Sequence, residues 1–153
     1  MGESRSDIDV ALDLFIVLSR AHNWVNAHAA RNARCHDLNL TEFGILEALY
    51  HKGRMPLQHI GEKVLISSGN ITYAVDKLEE KGLLVRRPSH RDRRVTLAEL
   101  TQVGKDLMAG IFPDHAQAIQ LAMNGLSRDE QLQATALLKK LGLAAQESLA
   151  PPP

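Results

Sequence analysis

The first forty residues carry hydrophobic side chains at helical spacing. A helix is predicted from about Asp7 to Arg34, and its apolar stripe consists of Leu12, Phe15, Ile16, Trp24 and Val25. This stripe is too broad to be covered by one neighbouring helix. A second helix is predicted from Thr41, as its N-cap, to a stop at Gly53, with Glu42 in the first turn, where the helix dipole favours a carboxylate.

A compact helix-turn-helix pattern follows. Pro56 favours the start of a short third helix. The pair Ser67-Ser68 is a strong N-cap signal for a fourth helix that runs to about Lys81, and Gly82 suits its C-cap. The fourth helix has apolar residues on one face and polar residues on the other, so it is predicted to pack along one side and expose the other.

A hairpin with an arginine-rich tip is predicted after this unit. Its strands are the β-type runs at residues 83–85 and 95–97. Residues 86–94 between them hold five arginines and one carboxylate, in a chain with 18 basic and 18 acidic residues overall. Ten basic and seven acidic side chains lie in residues 41–98, so the positive excess is local. A local cluster of positive charge is typical of a protein surface that binds nucleic acid.

The C-terminal third is predicted to be helical. A fifth helix begins at Thr101, and Pro113 is expected to kink it or end it. Ser127 and Glu130 form a capping box that opens a last helix, which runs to about Gln146. Residues 147–153 are expected to be a flexible tail.

The order of elements predicts a mainly α (α+β) fold, a winged helix-turn-helix with N- and C-terminal dimerisation helices. The winged-helix domain spans 7–145, with a DNA-binding core at about 41–101. The segments at about 7–35 and 102–146 have apolar faces with no evident partner inside so small a winged unit. An isologous homodimer interface would bury both, and would set two recognition helices about one duplex turn, roughly 34 Å, apart.

The fourth helix is the predicted recognition helix, because the second helix of such a unit lies in the major groove. The residues assigned to DNA on it are Ser67, Ser68, Gly69, Asn70, Thr72, Tyr73 and Lys77. Helix capping is the stronger interpretation of Ser67, and a solvated helix face is the plain alternative for Tyr73 and Lys77. Asp76 lies on the same face and alternatively pairs with an arginine of the hairpin or a helix.

The hairpin tip is the predicted wing. Arg91 and Arg93 are assigned to DNA, and Arg94 is also a candidate, although it is spaced to form a salt bridge with Asp92. Arg86 and Arg87 are assigned to the strand that approaches the tip. An exposed, salt-bridged loop is the structural alternative for the whole wing.

Redox, metal-binding and catalytic residues and targeting signals are only weakly indicated by the sequence. Cys35 lies between Arg34 and His36, which makes it a candidate redox residue, although a lone cysteine is usually just a small packing residue. No cofactor is predicted, and no metal site, because no histidine or cysteine pair has a familiar ligand spacing. No phosphate loop, nucleophile elbow or zinc-protease motif is present, so an enzyme is not predicted. Without a secretory signal or a membrane-length apolar run, a cytoplasmic location away from membranes is expected.

The chain resembles the multiple-antibiotic-resistance regulator (MarR) family over roughly residues 8–145. The motifs that carry the resemblance are Leu40-Thr41-Glu42-Phe43, Pro56–Gly61, Ser67–Leu78, Glu80-Lys81-Gly82-Leu83, Asp92-Arg93-Arg94 and Leu100–Gly104. The resemblance implies a homodimer that binds a pseudo-palindromic operator in double-stranded DNA. It also implies repression that is relieved by a small ligand or by oxidation, with the ligand pocket between the dimer helices and the winged unit.

Two segments, Phe15–His22 and Ser68–Glu79, are similar to the branch of the family that responds to methylhydroquinone and related phenolic stress. That similarity implies a small aromatic effector. Tyr73 stands where many members have a basic residue. Ser89 stands near the position at which some relatives have a cysteine in the wing. Three alternatives remain: a thiol-sensing regulator, a metal-sensing regulator of the same fold, and a winged-helix protein-interaction module that does not bind DNA.

Overall fold

The computed structural model describes residues 5–64 and 68–149. Ser67 lies outside the described residues, as do the side chains of Ser68 and Gly69. The elements along the chain are α1 (Asp7–Arg34), α2 (Leu40–Lys52), β1 (Met55–Pro56), α3 (Leu57–Val64), α4 (Ser68–Glu80), β2 (Leu84–Pro88), β3 (Thr96–Leu100), α5 (Gln102–Met123) and α6 (Arg128–Leu149). The predicted mainly α winged helix-turn-helix is confirmed.

The strands form one antiparallel sheet in the order β1-β3-β2. Leu84 pairs with Leu100, and Met55 pairs with Ala98. These four side chains are buried, so they mark the inner face of the sheet. Pro56 lies in β1, not at the start of α3, because a strand of two residues closes the sheet edge before the helix begins. A strand so short leaves no alternation in the sequence to detect.

One hydrophobic core holds the winged unit together. Its largest fully buried side chains come from all the helices between α2 and α5 and from β2: Phe43, Ile45, Leu46, Ile60, Val75, Leu78, Leu84 and Met108. Burial of a side chain of this size contributes about 1.5–3 kcal/mol. The core therefore fixes α3 and α4 against α2 and the sheet, which sets the position of the predicted recognition helix.

The first turn of α2 differs from the prediction. Asn39, not Thr41, is the N-cap, and its side chain accepts from the backbone N–H of Glu42. The Glu42 carboxylate accepts in return from the backbone N–H of Asn39, completing a capping box. Glu42 is buried and also accepts from Lys81 Nζ at 3.1 Å, which ties the end of α4 to the start of α2.

The helix α5 begins after Thr101, as predicted, and it does not end at Pro113, which was expected to kink it or end it. The helix continues through Pro113 to Met123, with Met108, Ile111 and His115 buried along its inner side. One proline removes one backbone hydrogen bond, and the packing on both sides of it outweighs that loss. The last helix continues to Leu149, beyond the expected end near Gln146, so residues 147–149 are helical.

The outer helices expose much apolar surface. Phe15 and Trp24 on α1 are 66% and 74% exposed, and Leu137 on α6 is 66% exposed. None of the side chains of α6 is buried within the chain. Exposure of this extent on a helix is unusual for a folded monomer and marks a surface that something else covers.

Candidate nucleic-acid interface

The helix α4 presents two distinct faces. Ile71, Ala74, Val75 and Leu78 are buried at helical spacing and hold the helix on the core. The opposite side exposes Asn70, Thr72, Tyr73 and Asp76 to solvent. A helix held by one face, with amide, hydroxyl and phenol groups on the other, has the side chains that hydrogen-bond to base edges in a major groove.

Lys77 lies at the edge of this exposed face and has neighbours on α4. Its Nζ donates to Glu80 Oε2 at 3.0 Å and lies 5.7 Å from the centre of the Tyr73 ring. The hydrogen bond with Glu80, with the attraction of that carboxylate, raises the pKa of Lys77. Tyr73 and Lys77 therefore form one patch, in which the lysine stays cationic beside the exposed phenol.

Arg86 joins the wing to the recognition helix. Its guanidinium donates to the carboxylates of Asp76 and Glu79 on α4, and its backbone N–H is 3.4 Å from Glu79 Oε1. The alternative that Asp76 pairs with an arginine of the hairpin is what the structure shows. Sequence reasoning missed this bridging role of Arg86. The signal was the two-residue strand period, which places Arg86 on the same inner face as buried Leu84.

The wing tip is a short, ordered turn. The backbone N–H of Val95 donates to Asp92 O at 3.0 Å, and the N–H of Ser89 donates to Val95 O at 2.9 Å. Arg94 Nε donates to Asp92 Oδ1 at 3.1 Å, and this side-chain bond, with one from the Arg94 backbone, lowers the pKa of Asp92. Arg91 and Arg93 are exposed, and neither makes an ion pair within the described part of the chain.

The base of the wing is fixed to α5 by Thr101. Its hydroxyl donates to Gly82 O at 2.7 Å and accepts from the backbone N–H of Gly104 at 3.0 Å. The N–H of Thr101 also donates to Leu83 O. At Gly104 an added Cβ would lie 2.1 Å from Leu83 O, so only glycine allows this close approach. The wing therefore has a rigid base in the motif at residues 100–104.

A polar cluster joins α1 to α5 beside the winged unit. Asn32 Nδ2 donates to Asp114 Oδ2 at 2.7 Å, and His115 Nδ1 lies 3.2 Å from Asn32 Oδ1. Because that oxygen only accepts, Nδ1 carries the proton. Burial lowers the pKa of His115, whereas hydrogen bonds from Asn32 and His36 lower the pKa of Asp114. The His115 ring lies 4.1 Å from that of Phe43 in the core.

The candidate redox and metal-binding side chains do not form a site in the described part of the chain. Cys35 is exposed at the end of α1, and its Sγ is 3.3 Å from Arg31 O. Within residues 5–64 and 68–149 no three side chains of the metal-binding types converge on one point. In the same ranges no helix has the length and apolar character needed to cross a membrane.

Known proteins are similar to this chain in sequence and in fold. The model of the MarR family matches residues 38–96. The HTH-type transcriptional regulator MhqR of Bacillus subtilis (strain 168) is 52% identical over 137 residues, which are 90% of this chain and 94% of that protein. These matches cover the recognition helix and the wing as well as the outer helices.

Two solved structures are also similar. BpsR of Bordetella bronchiseptica, studied for regulation of its DNA binding by 6-hydroxynicotinic acid, has a TM-score of 0.77 and 25% identity, with 85% of this chain and 98% of that one covered. A MarR mutant from E. coli in complex with operator DNA has a TM-score of 0.77 at 20% identity, with 90% and 99% covered. Together with the identity to MhqR, these findings show that the chain belongs to the MarR family of DNA-binding transcriptional regulators.

Proposed function

We propose that this regulator is a homodimeric repressor that binds an inverted-repeat operator and is released by a small phenolic or quinone-like ligand. The observation that carries the proposal is the pairing of two DNA-facing elements in one rigid unit. The exposed polar face of α4 and the arginine-rich wing are joined by Arg86, so both elements meet DNA in a fixed relative orientation.

The proposed base contacts come from α4 and the proposed backbone contacts from the wing. Asn70 and Thr72 are exposed and read base edges, with Asn70 suited to adenine. On sequence alone, Ser68 is assigned to base edges and Gly69 to the close approach of the helix to DNA, and Ser67 is a DNA-contact candidate for which helix capping is the stronger interpretation. Arg91 and Arg93 contact phosphates or the minor groove. Arg94 forms an ion pair with Asp92 and adds to the positive charge of the wing.

The proposed dimer is supported by the exposed apolar faces of α1 and α6. The side chains they expose include Ile8, Leu12, Phe15, Trp24, Leu132, Leu137 and Leu141. A second copy placed by a two-fold axis buries both faces at once, because an isologous interface uses the same patch twice. In this proposal 7–35 and 102–146 are the dimerisation segments and 41–101 is the DNA-binding core.

The proposed effector class rests on the resemblance of residues 15–22 and 68–79 to the phenolic-stress branch. The exposed thiol of Cys35 is the alternative trigger. A Cys35→Ser variant separates the two. Release by a phenol that persists in this variant supports a reversibly bound ligand, whereas release by a quinone that disappears supports covalent reaction or oxidation at the thiol.

The test uses the intergenic DNA beside the gene for this protein. Footprinting on that DNA is expected to protect an inverted repeat, and sedimentation or light scattering is expected to give a dimer, free and on the operator. The logarithm of the association constant should fall linearly with the logarithm of salt concentration. A monomer, or affinity for random DNA equal to that for the protected repeat, contradicts the proposal.

A further inference from the structure

The outer face of the wing sheet carries a second group of cations, which adjoins the tip. The strand register pairs Val85 with Glu99 and Arg87 with Leu97, and it continues to set Arg54, just before β1, opposite Glu99. Alternation places Arg54, Arg87 and Glu99 on the same face, which is the side opposite the buried residues. Arg54 was not singled out in the sequence, because its position beside the wing depends on the undetected strand β1.

These side chains line a concavity rather than a flat surface. It has a volume of about 290 Å³, and the loop residues His90 and Arg91 close it on the side of the tip. Three guanidinium groups face one carboxylate there. Arg87 Nε donates to Glu99 Oε2 at 3.2 Å, which neutralises Glu99 and leaves Arg54 and Arg91 without an ion pair among the described residues.

From this arrangement we infer that the notch formed by Arg54, Arg87 and Arg91 binds a phosphate of the DNA backbone outside the segment covered by α4. The inference rests on the proposed operator binding. Guanidinium groups suit a phosphodiester because its two free oxygens accept paired N–H donors. The inner face of the sheet lies against α4 through Arg86, so the notch faces away from α4. In the proposed complex this side of the wing meets DNA beyond the segment that α4 covers. Arg91 belongs to both the notch and the tip, so the two sites are continuous.

The inference predicts a dependence on flanking DNA that a tip contact alone does not give. Two duplexes are compared by fluorescence anisotropy: one extends about one helical turn, roughly 10 base pairs, beyond the inverted repeat on each side, and one ends at the edge of the repeat. The wild-type protein should bind the longer duplex more tightly. Arg54→Gln should weaken binding to the longer duplex about three- to tenfold, since one charge-assisted contact is lost in each bound notch, and should reduce the difference in affinity between the two duplexes.

Salt dependence supplies the second readout. Arg54→Gln should reduce the log–log salt slope by about one for each notch in contact with DNA, and Arg54→Lys should keep most of the slope. Arg5→Gln, which lies outside the DNA-binding core and the dimerisation segments, is the matched control and should match the wild type on both duplexes. If Arg54→Gln has the wild-type affinity, slope and length dependence while Arg91→Gln weakens binding, the notch serves another partner, such as an acidic protein, and the inference is overturned. If the wild-type protein binds neither duplex, the proposed function fails as well.

Discussion

Arg86 on β2 forms an ion pair with Asp76 on α4, so the wing and the recognition helix share a charged contact. Glu79, one helical turn along, accepts from the same guanidinium. Each carboxylate alone is partly exposed, but the two together hold a planar group by both of its ends. The arginine therefore keeps the wing at a fixed angle to α4, which is what simultaneous contact with two grooves requires.

We expect Arg86→Gln to lower the free energy of unfolding by about 1–2 kcal/mol, because Asp76 and Glu79 lose their common partner near the core. Urea denaturation measures this. Arg5→Gln is the control, since Arg5 pairs with Asp13 on the exposed surface of the protein and its loss should cost less than about 1 kcal/mol. Equal effects of the two substitutions would mean that Arg86 is an ordinary surface charge.

Gly104 gives a prediction on the base of the wing. Gly104→Ala places a methyl group 2.1 Å from Leu83 O, so the backbone of α5 or of the wing must shift. The expected cost is about 1–3 kcal/mol, the range for overpacking. Gly110 lies in the same helix with open space at its Cβ, and Gly110→Ala should be neutral or stabilising by up to about 1 kcal/mol. Thermal or urea unfolding of both variants decides the point.

The sequence predicted the elements that have long periodic patterns and missed those set by tertiary contact. The first helix was predicted at Asp7–Arg34, which are its observed bounds, because its stripe is long and its ends are polar. The strand β1 was missed because two residues have no period, and with it the placement of Arg54 beside the wing. Pro113 was expected to interrupt α5, yet buried neighbours on both sides keep the helix continuous. Local rules do not include such packing.

The candidate DNA-binding site also combines features that the sequence predicts with features that only tertiary contacts set. The polar face of α4 and the charge of the wing are visible in the sequence, because exposure and charge are local properties. Which arginine connects the wing to α4 depends on which residues of β2 lie on the inner face of the sheet, and therefore on the strand register. Asp76 was recognised as a possible partner of a hairpin arginine, but only the fold places Arg86 beside it.

His115 predicts a dependence of stability on pH. Burial lowers its pKa below the usual value of about 6.5, so the native state binds fewer protons than the unfolded state between the two pKa values. Stability is therefore fully present above pH about 6.5 and decreases as the pH falls below it. The free energy of unfolding, from urea titrations between pH 7.5 and 5.5, should fall more steeply in the wild type than in His115→Gln, with a difference in slope of at most about 1.4 kcal/mol per pH unit.

The control for this prediction is His28→Gln, because His28 is exposed on α1. Its pH profile should follow that of the wild type. His115→Gln also loses the ring contact with Phe43, so its stability is lower at every pH, and only the slope reports on the proton. Parallel profiles for the wild type and His115→Gln would show that His115 does not contribute to the acid sensitivity.

The last prediction separates base reading by α4 from backbone contact by the wing. Asn70→Ala should cost about 1–3 kcal/mol at one operator base pair and leave the salt slope unchanged, because a neutral amide releases no counterion. Arg93→Ala should weaken binding to operator and to mixed-sequence DNA by the same factor and reduce the slope by about one for each wing in contact with DNA. Competition titrations with single-base operator variants, repeated at several salt concentrations, measure both quantities. An Asn70→Ala loss that is equal on every sequence would place Asn70 on the backbone, and an unchanged slope for Arg93→Ala would remove that residue from the interface.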